Sequence, residues 1–478
     1  MLRYSKPRKY AYIKEENMKG YNKWSYRPFR LPLFDNGDIH ISRIAPDTDK
    51  FHIEWLGEGR NDFSVFYRKR GEGDFIHYVD TQLTECDIEG LESECEYEFY
   101  VSSGDEKSRV RLVRCGENVG VTVNYLHPED QIYAYAGSYL GSPFLLRHPD
   151  GYMLATMDLF GEDRPLNMTI VFRSDDDGAS WHYVSDIYPL AWAKLFLHNG
   201  DVYAMGCACE HGDVLIGRSR DGGMTFDTPV SIMRGPTKSN KDPGPQLHPQ
   251  PILRYNGRIY ASIEWGGWFR KEERGYCFAT MVMSCDENAD ILDPENWSIT
   301  EPRKLEKFSD ELEGISMLSH TMEGALVVDR EGRLLDITRF DKWQKAMVYE
   351  ADLNDHEAML KYSRLMDFDA FFSMFVIKYD PVSDYYYTVG TMSYDEKKRY
   401  ARNLLSLMKS KDLYTWETVK DIFDYRHRDI KDVGFQNVSY EFVGDDLYFL
   451  VRTAMNGAHS FHDSNSLTFH KLKDFRKY

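Results

Sequence analysis

Basic and histidine side chains occur in otherwise apolar stretches of this sequence, where a charge needs a partner or a pocket. Lys194 lies within Trp192-Ala193-Lys194-Leu195-Phe196, and His248 lies between Leu247 and Pro249. Arginine binds a carboxylate through two parallel hydrogen bonds, and imidazole transfers protons near neutral pH. We therefore expect a cationic site for an anionic ligand. Its catalytic candidates are His248, His459, Lys194 and Arg452, and its cationic or imidazole ligand-binding candidates are Arg402, Arg339, His211 and His462.

Aromatic and amide side chains extend this candidate set. Glu264-Trp265-Gly266-Gly267-Trp268 places two indoles around a glycine pair, next to a carboxylate. Indole faces suit the apolar face of a sugar ring, and glycine lets a backbone approach closely. Trp192, Trp265, Glu264 and Gln436 are accordingly predicted to bind substrate. Every candidate also fits a structural role, as an ion pair between elements, a satisfied core histidine or a core tryptophan.

Repeated hairpin turns indicate the elements that must position these residues. Turn pairs bounded by strand-like runs stand at Asp150-Gly151, Asn199-Gly200, Asn256-Gly257, Glu331-Gly332, Ser383-Asp384 and Gly444-Asp445. Their spacing, roughly 50 to 75 residues, is typical of four-stranded propeller blades with variable loops. Residues 120–478 are therefore predicted to form an all-β propeller, with seven blades preferred and six as the alternative.

A second repeat supports the same fold. Residues 174–181 and 219–226 both fit the pattern S-x-D-x-G-x-[ST]-[WF], and looser copies begin at Ser284 and Ser410. In such a turn the aspartate accepts backbone hydrogen bonds and the glycine takes a positive φ. The pattern resembles the Asp-box, or BNR repeat, of sialidase-like propellers, which implies a structural turn on the outer rim rather than chemistry.

The N-terminal part has a different texture. Residues 1–43 form a lead segment, and residues 44–116 contain short runs that alternate apolar and polar side chains, as half-buried antiparallel strands do. Trp55 and the late segment Leu91 to Val101 resemble a fibronectin type III module. The resemblance implies a small β-sandwich that serves as a spacer or docking module.

Composition narrows the possible partners. The 478 residues carry a net charge of −18, which disfavours nucleic acid and anionic membrane surfaces. There is no apolar run long enough to span a bilayer and no apolar core of a signal peptide, so the sequence predicts a cytoplasmic protein. Seven cysteines at scattered positions predict free thiols rather than a disulfide framework.

The C-terminal segment suggests a substrate class. Residues 433–437, 450–454 and 456–470, the last rich in histidine, resemble propeller enzymes that act on L-rhamnosyl-α-1,4-D-glucuronate ends of plant gums. The resemblance extends through further motifs at 141–143, 149–151, 158–161, 195–200, 248–251, 256–258, 323–325 and 402–404. It implies a carbohydrate-active enzyme that cleaves the terminal linkage of a uronate-containing oligosaccharide.

One departure bears on the reaction. Hydrolases of that family carry a catalytic histidine before the aspartate of the first-blade motif, where this chain has Met157 before Asp158. A thioether cannot transfer protons, so the comparison favours exo-acting β-elimination. Three alternatives stay open: a two-carboxylate hydrolase using a pair such as Glu264 and Glu323, a sialidase-type hydrolase, and a sugar-binding propeller without catalysis. No cofactor is required, and no ligand spacing supports a central divalent metal held by His248 and His459.

Overall fold

The computed structural model describes residues 39–130, 139–161, 166–235, 244–266, 278–305, 312, 321–340 and 342–478. Regular structure in these residues is almost entirely β-strand, with 3-10 turns at Pro294–Asn296, Glu396–Lys398 and Phe475–Lys477. None of the described helices has the length and apolar character needed to cross a membrane.

The first module is a sandwich of two antiparallel sheets. Its strands are β1 (His40–Pro46), β2 (Lys50–Leu56), β3 (Phe63–Lys69), β4 (Ile76–Thr81), β5 (Glu85–Glu89), β6 (Glu96–Ser103), β7 (Glu106–Lys107) and β8 (Arg111–Arg114). One sheet has the order β1-β2-β5; the other has β4-β3-β6-β7, with β8 also pairing with β6. Phe51 and Phe99 meet between the sheets at a ring separation of 5.1 Å. The first strand begins four residues before the predicted boundary, and the fibronectin type III assignment stays a prediction.

Six further sheets, which we number as blades 1 to 6, follow along the chain. Blade 1 has β10 (Tyr139–Arg147), β11 (Met153–Phe160), β12 (Thr169–Ser174) and β13 (His182–Ile187); blade 2 has β14 (Ala191–His198), β15 (Asp201–Cys207), β16 (Val214–Ser219) and β17 (Val230–Met233). Blade 3 has β18 (Gly244–Gln246), β19 (Leu253–Tyr255), β20 (Arg258–Gly266), β21 (Ala279–Asp286) and β22 (Trp297–Ile299); blade 4 has β23 (Thr321–Val328), β24 (Leu334–Phe340), β25 (Lys345–Ala351) and β26 (Lys361–Asp367). Blade 5 has β27 (Lys378–Asp380), β28 (Tyr385–Thr391), β29 (Leu404–Ser410) and β30 (Glu417–Asp424); blade 6 has β31 (Gly434–Val443), β32 (Asp446–Ala454), β33 (Ser466–Leu472) and β9 (Val121–Tyr125).

The sheets are arranged around a central axis. A cavity of about 880 Å³ is lined by residues from the first strand or its neighbourhood in every blade, from Phe144 in blade 1 to Glu441 in blade 6. Blade 6 is closed by β9, the first propeller strand of the chain, which pairs with β33 as the outermost strand. The two ends of the propeller sequence are thereby joined in one sheet, which removes two open sheet edges.

The all-β propeller fold is confirmed, but the preferred count of seven blades is wrong for the described residues, which form the six-bladed alternative. The repeat period could not separate the two counts, because connections within the blades range from two-residue hairpins to long loops. About 360 residues therefore fit either number at a period of roughly 50 to 60.

The patterned turns lie between the third and fourth strands of blades 1, 2, 3 and 5, on the outer side of the propeller. Asp176 accepts hydrogen bonds from the amide and hydroxyl of Ser180, and Ser174 accepts one from the amide of Gly178. The turn at Asp221 repeats this arrangement with Thr225 and Gly223, and a related one surrounds Asp412. The geometry fits the structural role expected from the sequence pattern.

Candidate functional site

Topology gathers the candidate residues at one end of the propeller. In an antiparallel four-stranded blade, the start of the first strand, the end of the second and the start of the third lie at the same end. We call this the upper end. Lys194, Glu323 and Gln436 lie near first-strand starts; Asp158, Glu264, Arg339 and Arg452 lie near second-strand ends; and His211, Arg402 and Asp463 come just before third strands. The patterned outer turns lie at the opposite end.

A repeated backbone device shapes the upper end. The first strands of blades 1, 2, 4 and 6 each contain a β-bulge, with a residue of positive φ inside it. These residues are Ser142, Trp192, Glu323 and Asn437, whose φ angles are 49°, 53°, 59° and 53°. A bulge bends its strand and re-aims neighbouring side chains. The left-handed conformation is strained, and the four strained residues lie where the candidate side chains converge.

Carboxylates from adjacent blades hold two of these bulges. Asp158 accepts the amide of Trp192 through Oδ2 and the hydroxyl of Thr169 through Oδ1, each at 2.6 Å. Burial raises the pKa of Asp158 to about 7, although these hydrogen bonds oppose the rise. Glu264 accepts the amide of Gly324 at 3.2 Å. A Cβ at residue 324 would stand 2.1 Å from Asp336 Oδ1, so the packing admits only glycine there.

Glu264, His248 and Lys194 form a buried charged group beneath the upper end. His248 Nε2 lies 2.9 Å from Glu264 Oε2, an ion-pair distance whose angle falls short of a hydrogen bond. The Lys194 ammonium is fully buried and has no hydrogen-bond acceptor in the described part of the chain. Burial lowers the pKa of Lys194 to about 8, and the negative charge of Glu264 limits that fall. Glu264 therefore interacts with both basic residues, at 2.9 Å with His248 and through its charge with Lys194.

Glu323 and Arg339 form a second pair on blade 4. Arg339 Nη1 donates to Glu323 Oε2 at 2.9 Å, and both side chains keep some exposure. Burial alone would raise the pKa of Glu323, but Arg339 and His248 outweigh it, so the pKa is lowered and the carboxylate stays ionised. Gln250 donates to the backbone carbonyl of Glu323 at 3.2 Å, which fixes this strained residue.

Two more arginines complete a cationic cluster, which we call the arginine cluster: Arg339, Arg402 and Arg452. Arg402 is 7% exposed, and its guanidinium forms no hydrogen bond or ion pair with any described residue. Burial, followed by repulsion from Arg339 and Arg452, lowers the pKa of Arg402 to about 9. Arg452 is also buried and donates to the carbonyl of His462, while its guanidinium lies over the Tyr139 ring at 5.6 Å. The three guanidinium groups therefore influence one another at the upper end, and the expected cationic binding site stays a prediction.

The C-terminal histidines lie at the rim of this cluster. Asp463 pairs with both histidines: Oδ1 lies 2.8 Å from His462 Nδ1, and Oδ2 lies 2.8 Å from His459 Nδ1. Burial and the charge of Arg452 lower the pKa of His462 to about 4, so this imidazole is neutral at neutral pH. The His459 side chain is 75% exposed and makes its contact through Asp463, so its predicted catalytic role lacks a contact with Glu264 or Glu323. The central metal considered for His248 with His459 is likewise not supported, because each imidazole faces a different carboxylate.

His211 and Trp192 lie beside His248. The Trp192 ring is 6.0 Å from that of His248 and 6.3 Å from that of His211. His211 is fully buried, and neither ring nitrogen forms a hydrogen bond with a described residue, although Nε2 lies 3.8 Å from a carboxylate oxygen of Glu210. Burial lowers the pKa of His211 to about 4. These three residues are brought together as predicted, and their contact with a substrate stays a prediction.

Three interpretations of the sequence need correction. Gln436 is fully buried and donates to the carbonyls of Phe461 and His462, so it anchors the C-terminal loop instead of facing a substrate. Trp265 packs against the apolar cluster between blades 2 and 3. Adjacent residues of a strand point to opposite faces of the sheet, so Trp265 faces away from the side on which Glu264 lies. Trp268 lies outside the described residues.

The third correction concerns Met157. Its side chain is fully buried in the blade 1 core, with Asn124 Nδ2 3.7 Å from its sulfur, while the next residue, Asp158, faces blade 2. A residue at position 157 therefore does not reach the site. Methionine there carries no information on whether the chemistry is hydrolysis or elimination, so the reason for preferring elimination is lost.

Comparisons with known proteins agree on the fold. No protein-family model and no curated protein sequence matches the chain. The chain is similar to the α-L-arabinanase of Penicillium chrysogenum complexed with arabinobiose, with a TM-score of 0.50 and 14% identity over 75% of this chain and 98% of that one. An α-L-arabinofuranosidase from Fusarium graminearum bound to an iminosugar inhibitor gives a TM-score of 0.50 and 12% identity, over 74% and 97% of the two chains. A Trypanosoma rangeli sialidase in complex with sialic acid gives 0.44 and 15%, over 74% and 58%. At these identities the likeness of the first two establishes the fold, a β-propeller.

Proposed function

We propose that this protein is an exo-acting glycoside hydrolase that removes a terminal sugar next to, or bearing, a carboxylate. The observation that carries the proposal is Arg402, a guanidinium buried between Arg339 and Arg452 without a hydrogen-bonded or ion-paired acceptor. A buried cation without a counter-ion is costly, and a bound carboxylate would offset that cost. The solved relatives named above are glycosidases by their descriptions, which supports hydrolysis of a sugar linkage.

The arginine cluster argues for an acidic sugar. Arg339 already pairs with Glu323, and Arg452 donates to the His462 carbonyl. Arg402 is therefore the member of the cluster whose guanidinium is left to bind a ligand carboxylate. Arginine meets a carboxylate with two hydrogen bonds, which fixes orientation as well as affinity. Uronates and sialic acids share this group. The residues that line the cavity of about 880 Å³ do not include the arginine cluster, so exo action rests on the position of the cluster at one end of the propeller, which admits a chain end more readily than a chain middle.

The described residues suggest how hydrolysis would proceed. Glu323 is ionised and buried apart from a small exposed fraction of its side chain, so it can stabilise positive charge that develops on the anomeric carbon of a bound sugar. His248, oriented through Nε2 by Glu264, has Nδ1 available to protonate the leaving glycosidic oxygen as the C–O bond breaks. Water then adds its hydroxide to the anomeric carbon and returns its proton to His248. The positive charge of Lys194 stabilises the ionised carboxylate of Glu264.

Product analysis tests this proposal. The purified protein is incubated with oligosaccharides ending in a hexuronide, a rhamnosyl-glucuronate unit, a sialoside or arabinobiose. We expect saturated reducing products from one of the carboxylated substrates. Accumulation of the ultraviolet-absorbing unsaturated uronate would overturn hydrolysis in favour of elimination, and binding without turnover would overturn catalysis.

Variants separate the proposed roles. Glu323→Gln and His248→Ala should each lower kcat by about 100- to 10,000-fold with the fold intact. Glu301→Gln, an exposed carboxylate on the propeller, is the matched control and should keep full activity. Equal activity of Glu323→Gln and Glu301→Gln would remove Glu323 from the reaction.

A further inference from the structure

The outward face of the β1-β2-β5 sheet carries a polar cluster at the junction with the propeller. Phe51, Ile53 and Trp55 of β2 point into the sandwich core, so His52 and Glu54 point the other way. The register pairs His52 with Asp87 and Glu54 with Glu85 on β5. Strand β13 of blade 1 packs on this face through His182 and Tyr183.

The distances within this cluster match the first shell of a small divalent ion. Glu54 Oε1 lies 3.5 Å from His52 Nε2 and 3.1 Å from His182 Nδ1. Ligand atoms of His52, Glu54 and Glu85 all lie within 4.8 Å of one another. A tetrahedral ion with bonds of about 2.0 to 2.2 Å separates its ligand atoms by roughly 3.3 to 3.6 Å. The separation of His52 Nε2 and Glu54 Oε1 already fits that geometry, and the His182 side chain must turn to join it.

Outer contacts orient the cluster as they do in metal sites. His52 Nδ1 lies 3.1 Å from Asp87 Oδ1, which leaves Nε2 facing Glu54. A carboxylate on the far nitrogen of a ligating histidine is the usual way to fix its tautomer and ring orientation. Glu54 is oriented in the same manner by Arg43 Nη1 at 2.9 Å and by the amide of Tyr183 at 3.2 Å.

Charge supplies an independent argument. Glu54 and Glu85 stand directly opposite each other on neighbouring strands, an arrangement that destabilises a sheet when both are ionised. Arg43 neutralises Glu54, whereas Glu85 has no hydrogen-bonded or ion-paired partner in the described part of the chain. A cation between the two carboxylates would relieve this repulsion.

We propose that His52, Glu54 and Glu85 bind a divalent transition ion of the zinc type, with His182 of the propeller as the fourth ligand. Two imidazoles and two carboxylates suit such an ion better than calcium, which prefers six to eight oxygens. The ion would clamp the sandwich to blade 1, because its ligands come from both modules. The half-exposed His182 side chain is free to turn toward the ion.

Equilibrium dialysis of the full chain against Zn²⁺, followed by metal analysis, tests the proposal. We expect one tightly bound zinc per chain and no matching calcium. His52→Ala, Glu85→Gln and His182→Ala should each weaken binding at least about tenfold, and Asp87→Asn by about 10- to 100-fold. His77→Ala is the matched control, because His77 pairs with Asp80 on the same module, outside the cluster.

The unfolding midpoint gives a second readout. Zinc should raise the midpoint of the full chain, and the rise should disappear in His52→Ala and His182→Ala while His77→Ala keeps it. Circular dichroism without metal checks that each variant folds. If His52→Ala does not fold, Asp87→Asn replaces it in the comparison. Zinc binding that survives in Asp87→Asn and Glu85→Gln, or that is lost only in His459→Ala, at the His459–Asp463 pair of the propeller, would overturn the proposal.

Discussion

Burial of the charged Lys194 side chain lowers the stability of the folded protein. Its ammonium is fully buried, and burial lowers the pKa to about 8 from the ordinary value of 10.5. Below pH 8 the lysine is protonated in both the folded and unfolded states, and the folded state bears the burial cost. Between pH 8 and about 10.5 the unfolded state binds more protons, so this residue makes stability rise with pH.

Lys194→Met tests this sign. The variant should be more stable than the natural protein at pH 7, and its advantage should shrink by up to about 3 kcal/mol between pH 8 and pH 10.5. Denaturant unfolding at several pH values measures the difference, with the exposed Lys420→Met as control. A stability difference that is constant across this range would show that Lys194 is not a strained cation.

Single residues were partly predictable from the sequence. Lys194, His248, Arg402 and Arg452 were identifiable because a charge in an apolar stretch demands an explanation. Glu323 was named only as half of a carboxylate pair, because its partner Arg339 comes from the next strand and pairing across strands leaves no local signal. Gln436 and Trp265 were misassigned because the direction of a side chain depends on strand register and bulges.

At the scale of elements, the bulged first strands position the site. Ser142, Trp192, Glu323 and Asn437 share a positive φ but no residue type, so the sequence offered no sign of the repeat. The hairpin turns were predictable, because glycine and asparagine are required where φ is positive in a tight turn. The bulges that position the candidate site were thus less predictable than the hairpin turns.

Asp158 tests whether a carboxylate is needed to hold such a bulge. Asp158→Ala leaves the amide of Trp192 without its acceptor and should lower the free energy of unfolding by about 2 to 3 kcal/mol. Asp158→Asn should cost less than about 1 kcal/mol, because Thr169 can accept from the new amide while donating to the carbonyl of Leu190. Thermal and denaturant unfolding measure both, and equal losses would contradict the account.

At the scale of the whole molecule, the sandwich docks on the propeller through Arg43. This buried arginine donates to the carbonyls of Val123 and Thr122 on β9, the strand that closes blade 6, and to Glu54. The junction therefore contacts the closing strand of the ring directly. Alternating runs and repeated turns predict a small module ahead of a propeller, but they could not show this contact between distant segments.

Arg43→Ala should weaken that junction. Its loss leaves two buried carbonyls and Glu54 short of a donor, which predicts a destabilisation of about 3 to 5 kcal/mol. Calorimetry should show an earlier transition, whereas Arg68→Ala, which breaks a partly exposed pair with Glu98 inside the sandwich, should change little. An unchanged transition in Arg43→Ala would show that the modules do not depend on this contact.

Arg402 is proposed to recognise a carboxylate, and a pair of substrates that differ only in that group measures this recognition. We would measure kcat/KM on a hexuronide and on the corresponding neutral hexoside, for the natural protein, Arg402→Ala and the exposed control Arg426→Ala. We expect the natural protein to prefer the hexuronide, and we expect Arg402→Ala to lose this preference through a decrease of about 100-fold on the acidic substrate alone. A natural protein that prefers the neutral hexoside, or an Arg402→Ala variant that loses activity equally on both substrates, would contradict it.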